Sequence, residues 1–171
     1  MRAASLVLAL WLGGFGLASA EEETVDPSRL PAGDLSLLEC DYRLIGVTDG
    51  RSDPGAGALP AVSMTFPEAA ATVAHRLEAA RWSSASGAPG VQVQIKRLYV
   101  QSLWAQRLGV AVYQVKIDGH PPFLVRAQPG KIGANYDAES AHERLGAAMT
   151  EANETLVGFL NQQCHAKTAA R

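Results

Sequence analysis

Val91-Gln92-Val93-Gln94-Ile95-Lys96 alternates apolar and polar residues without a break. A period of two over six residues is a strand with one buried face and one wet face. That pattern suits a sheet covered on a single side and favours antiparallel pairing. After Arg97 the phase shifts, because Leu98 and Val100 fall on the formerly polar side. A bulge or bend near Arg97 accounts for the shift.

Downstream, Leu108 to Ile117 and Phe123 to Ala127 read as two further strands. Asp118-Gly119 between them is a hairpin signal, lengthened by His120-Pro121-Pro122. Pro129 to Tyr136 reads as loop. The chain then carries its longest helical pattern, roughly Ala138 to Gln163. Ser140-Ala141-His142-Glu143 has the spacing of a capping box. Leu145, Met149, Ala152, Leu156, Phe159 and Leu160 form one stripe, which Cys164 continues.

Upstream, Thr65-Phe66-Pro67-Glu68 offers another capping box, with proline in the first turn where its missing N–H costs nothing. Ala70, Val73, Leu77 and Ala80 line one helical face as far as about Trp82. Thr48 to Pro60 is rich in Gly, Asp and Pro and reads as loop. Leu35 to Val47 reads as the first strand, with Leu38, Cys40, Tyr42 and Leu44 alternating with Glu39, Asp41 and Arg43. The order is β-α-β-β-β-α. It predicts an α+β fold, an antiparallel four-stranded sheet with two helices packed on one face.

A chain of 171 residues holds one ordinary domain. Hydrophobic residues at 47% and charged residues at 19% describe a globular protein. The formal charge of −2 has no basic excess, which argues against a nucleic-acid binder. Residues 1–20 read as an export signal: Arg2, an uncharged apolar run from Leu6 to Leu17, and Ala18-Ser19-Ala20 ahead of Glu21-Glu22-Glu23. The run is shorter than the roughly 20 residues that span a bilayer. Residues 21–34 read as a polar leader, 35–165 as a single α+β domain and 166–171 as a tail. In an oxidising compartment Cys40 and Cys164 read as one structural disulfide. Both lie on core-facing positions, which makes the bridge geometrically plausible.

The chain resembles the YajG-like family of bacterial envelope lipoproteins. More loosely it resembles periplasmic auxiliary lipoproteins of lipid-trafficking ABC systems. The resemblance lies in Leu44-Ile45-Gly46-Val47-Thr48-Asp49-Gly50-Arg51, in the helix ending at Ala79-Ala80-Arg81-Trp82, and in Val91 through Tyr99. It continues through the strands flanking Asp118-Gly119 and the last helix with Asn153 and Leu156, over about residues 44–163. It implies a non-enzymatic accessory or binding protein of the cell envelope and supplies no catalytic residues. The chain departs from the family at the processing site. Glu21 stands where a lipoprotein has its lipobox cysteine, so lipid anchoring does not carry over.

Motifs for chemistry are incomplete. His142-Glu143-Arg144-Leu145-Gly146 begins like a zinc-protease helix, but Gly146 stands where the second histidine ligand belongs. His75, His120, His142 and His165 form no pair at helical ligand spacing. Asp49-Gly50-Arg51-Ser52-Asp53 fails the calcium-loop pattern at Arg51 and Pro60 and reads as a turn. No catalytic residue, metal ligand or cofactor is expected. Tyr99, Leu103, Trp104 and Arg107 are the candidate partner-binding residues, because rings beside arginine are typical of interface hot spots.

The sequence therefore predicts an exported, periplasmic accessory protein that acts through contacts with an envelope protein partner. Membrane association is expected only through that partner. A carrier of a lipid or other apolar ligand, using space left by Ala70, Ala74, Ala148 and Ala152, is the alternative. An enzyme without a recognisable motif is the third reading.

Overall fold

The computed structural model describes residues 20–169 except 61, 105 and 133–136, with the backbone alone at 167–169. The export signal read in residues 1–20 lies outside the described residues, apart from Ala20. The elements are β1 (Glu21–Thr24), a 3-10 turn (Pro27–Arg29), β2 (Arg43–Asp49), β3 (Gly55–Leu59), β4 (Val62–Thr65), α1 (Ala69–Glu78), β5 (Gly90–Leu103), β6 (Gln106–Ile117), β7 (Phe123–Ala127), β8 (Gly130–Ile132) and α2 (Ala138–Ala169).

The α+β class holds, and the sheet differs from expectation. It has eight strands and is mixed rather than four-stranded and antiparallel. The reason is the length of its central ribbon. β5 and β6 pair antiparallel from Val91 opposite Ile117 to Leu103 opposite Gln106. Each is long enough to take two neighbours in succession. Along β5 these are β2 and then β3, both parallel to it. Along β6 they are β7 and then β8, both antiparallel. β4 and β1 extend the sheet beyond β3. The register shifts between Ile95 and Arg97, which is the bulge that the change of phase requires.

One face of the ribbon is the core. Val91, Val93, Ile95, Leu98 and Val100 of β5 are buried, as are Ala111, Tyr113, Val115 and Ile117 of β6. Val73 and Leu77 of α1 and Leu145, Met149, Ala152, Leu156 and Leu160 of α2 close over them in the same cluster. Ala148 and Ala152 are fully buried, so these small residues serve close packing of helix on sheet. Gly109 marks the closest approach: a Cβ there would lie 2.0 Å from the Arg144 carbonyl oxygen.

The helix ends differ from the capping boxes. α1 starts after Glu68 without a side-chain cap. At α2 the cap is Asp137, whose carboxylate accepts the Ser140 N–H at 2.9 Å. The Ser140 side chain instead accepts from Arg107.

Residues 21–34, read as a leader, are built into the body. β1 pairs with β4, and Val25 and Leu30 are buried. Residues 35–42, read as strand, run as an irregular strap over the helices. Ser36 donates from its N–H and hydroxyl to the Glu154 carboxylate, at 2.7 and 2.9 Å. Asn161 accepts from the Glu39 N–H and donates to the Leu37 carbonyl, each at 3.0 Å. Cys40 and Cys164 close a disulfide across 124 residues, with Cα atoms 6.2 Å apart.

Candidate functional site: the tip of the central ribbon

Beyond the bulge, β5 turns Tyr99, Gln101 and Leu103 to the face away from the helices, opposite Val110, Leu108 and Gln106 of β6. Tyr99 is half-buried there. At the tip, Leu103 is 51% exposed and Trp104 is 93% exposed. Trp104 sits in left-handed backbone, at φ 55°. Side chains other than glycine adopt that region at a cost, and a bulky ring there is an outlier. Ile132 of β8 is also exposed, and β8 pairs with β6 beside the tip, Ile132 opposite Gln106. Three large apolar side chains thus crown one end of the sheet.

Arg107 is not among them. It is buried, and its Nη1 donates to the Ser140 hydroxyl at 2.6 Å. It lies on the helix-facing side of β6, in step with Gly109, Ala111 and Tyr113. Tyr99, Leu103 and Trp104 share the outer face and tip, while Arg107 fastens the start of α2. Counting back in twos from a core tyrosine at 113 carries that signal.

The wet face is as the alternation predicts. Gln92, Gln94, Gln114 and Lys116, with Ile45 and Thr48 of β2, line an open groove of about 400 Å³. A larger cleft of about 600 Å³ lies between residues 27–35, α1 and α2. Nothing in the local sequence pattern points to it, because its walls come from three distant segments.

The remaining motifs resolve as structure. Asp49 accepts from the Arg51 N–H and guanidinium, and this hydrogen bonding holds its carboxyl below the usual carboxylate range. Arg51 also donates to the Phe66 carbonyl at 2.6 Å, so it ties its loop to the start of α1. His142 is fully buried, with Nδ1 2.8 Å from the Ala138 carbonyl. His75 is solvent-exposed and 3.4 Å from Glu78. Among the described residues no group of three or more His, Cys, Asp or Glu is placed to hold a metal ion. Among them, too, no helix is long and apolar enough to cross a membrane.

No described protein family matches the sequence, and no curated protein matches it either. The fold is similar to that of a solved protein, XCC0632 from Xanthomonas campestris, assigned to the family DUF330. The two chains are 11% identical, with a TM-score of 0.53, over 85% of this chain and 99% of the other. A second solved structure, of an uncharacterized protein, is 7% identical with a TM-score of 0.45, over 85% of this chain and 99% of that one. The protein is thus an α+β chain with a fold of the DUF330 type. At this identity the likeness extends to the fold alone.

Proposed function

We propose that the chain is an exported, periplasmic accessory protein of the cell envelope, non-enzymatic, acting through protein contacts at the tip of the β5–β6 ribbon. The observation that carries this reading is Trp104, an almost fully exposed ring held in left-handed backbone. A large ring that is 93% exposed on a costly backbone state is a candidate for contact outside the chain. Leu103 and Ile132 extend the same surface, and exposed clusters of large apolar side chains mark interaction sites. The apolar run and cleavage-type site in residues 1–20 support export. The Cys40–Cys164 bridge supports an oxidising compartment. The fold shared with XCC0632 supports the YajG-like resemblance at the level of architecture.

The test is photo-crosslinking in cells from a benzoylphenylalanine placed at position 104. A control is placed at Glu151, which is exposed on α2. A discrete protein adduct from 104 in the periplasmic fraction, absent from 151, is expected. No adduct from 104, 103 or 132, or recovery of the chain in the cytoplasm, overturns the reading.

A further inference from the structure

The cleft of about 600 Å³ beside residues 27–35 is lined in part by the apolar residues Pro27, Leu30, Leu35 and Ala79. Arg76 of α1 and Asn153 of α2 are among its polar lining residues. Arg76 donates through Nη2 to the Leu30 carbonyl at 3.0 Å, while its buried Nη1 has no hydrogen-bond partner. Among the described residues no carboxylate pairs with this guanidinium. Its charge is felt by the buried Tyr113 hydroxyl, and desolvation lowers its pKa. Asn153 is 2% exposed, and its side-chain oxygen also lacks a partner.

Buried polar groups in folded proteins are almost always hydrogen-bonded. Here a cation without a counter-ion and an under-used amide line one concavity. Rotating the Asn153 amide presents its NH2 in place of its oxygen. Among the described residues the guanidinium is held by a single hydrogen bond, so little must be undone for it to turn onto a ligand. Asp34 and Glu78 also line the cleft and disfavour a second negative charge.

We propose that this cleft binds a small monoanionic amphiphile, a carboxylate on a short apolar chain. Arg76 pairs with the carboxylate, Asn153 donates to it, and the chain lies along Leu30 and Leu35. Charge-assisted bonds from a guanidinium to a carboxylate are the strong kind. The site is separate from the ribbon tip and does not depend on the protein contacts proposed there.

The probe is octanoate, titrated into the oxidised protein and followed by amide NMR. Saturating shifts at Arg76, Thr150 and Asn153 are expected. Arg76→Gln should weaken binding about tenfold or more, the scale of one lost charge-assisted bond. Trp104→Ser should leave it unchanged. Absence of saturation, shifts confined to residues 99–108, or equal binding by Arg76→Gln overturns the proposal. A comparison on the unaltered protein needs no variant to fold: octanoate must bind more tightly than octanol, and equal affinity overturns the role of the charge.

Discussion

The backbone N–H of Asp26 donates to Nε2 of His142 at 3.1 Å, across 116 residues of sequence. The other ring nitrogen meets the Ala138 carbonyl at 2.8 Å, so Nδ1 carries the proton and Nε2 accepts. A fully buried imidazole at the start of the second turn of α2 therefore holds the N-terminal segment against the helix. His142→Ala removes an acceptor from a part-buried donor and opens a cavity. A loss of about 2–3 kcal/mol is expected in urea unfolding. Amide exchange should speed up selectively at residues 21–30.

The Cys40–Cys164 bridge restrains a loop of most of the domain. Cys40→Ser with Cys164→Ser is expected to cost about 2–4 kcal/mol. Reduced and oxidised protein should differ by a similar amount in the same urea titration. Without reductant, the native protein should show no titratable thiol.

Trp104→Gly relieves the left-handed backbone at φ 55°. Glycine occupies that region without strain, so a gain of about 1 kcal/mol in stability is expected. The crosslinked adduct at the ribbon tip should meanwhile disappear when position 103 carries the photoprobe in this variant. A stability gain with loss of partner capture is the pattern of a residue kept for contact rather than folding.

Much of this architecture is legible in the sequence. The phase change at Arg97 locates the bulge because burial alternates strictly on either side of it. Phe123–Ala127 is bounded by Pro122 and Gln128-Pro129, so its ends are plain. β3 and β4 are not legible: Gly55-Ala56-Gly57-Ala58-Leu59 is small-residue-rich and carries no alternation. Their pairing with β5 and β1 is parallel and non-local, which no local period encodes. The strap at 35–42 keeps the expected apolar side, since Leu38 and Cys40 pack on the core and Tyr42 is part of it. It leaves the sheet because its polar backbone groups are satisfied by Glu154 and Asn161 of α2. In the sequence those two look like ordinary solvated helix positions. The ribbon tip was readable from Tyr99, Leu103 and Trp104, whereas the cleft at Arg76 and Asn153 exists only once three segments converge.

Acid should destabilise the protein through specific carboxylates. The Arg51 side chain lowers the Asp49 pKa, the Ser140 N–H lowers that of Asp137, and the Ser28 hydroxyl lowers that of Asp26. Each is depressed on folding, so its contribution is present above the unfolded value of about 4 and is lost as pH falls through the lower folded value. The urea midpoint should be flat with respect to these groups near neutrality and drop below about pH 4. Asp49→Asn should reduce that drop while lowering the midpoint at pH 7.

Gly109→Ala places a methyl group against the Arg144 carbonyl, where backbone must move to admit it. Overpacking of this kind typically costs about 1–3 kcal/mol. Gly158→Ala is the control on α2, because a Cβ there meets nothing within 4 Å. It should be neutral or stabilising by up to about 1 kcal/mol, since alanine is the better helix former.

The N-terminal segment is fastened to β4 and α1, and along much of its length to the last helix. Arg29 bridges to Glu139, Asp26 to His142, Ser36 to Glu154, Leu37 and Glu39 to Asn161, and Cys40 to Cys164. These partners run in parallel, early residues with the start of the helix and later ones with its end. In a chain that emerges amino-end first, these contacts of residues 26–40 can form only once the final helix has been made. The edge of β4 stays open to strangers until β1 covers it.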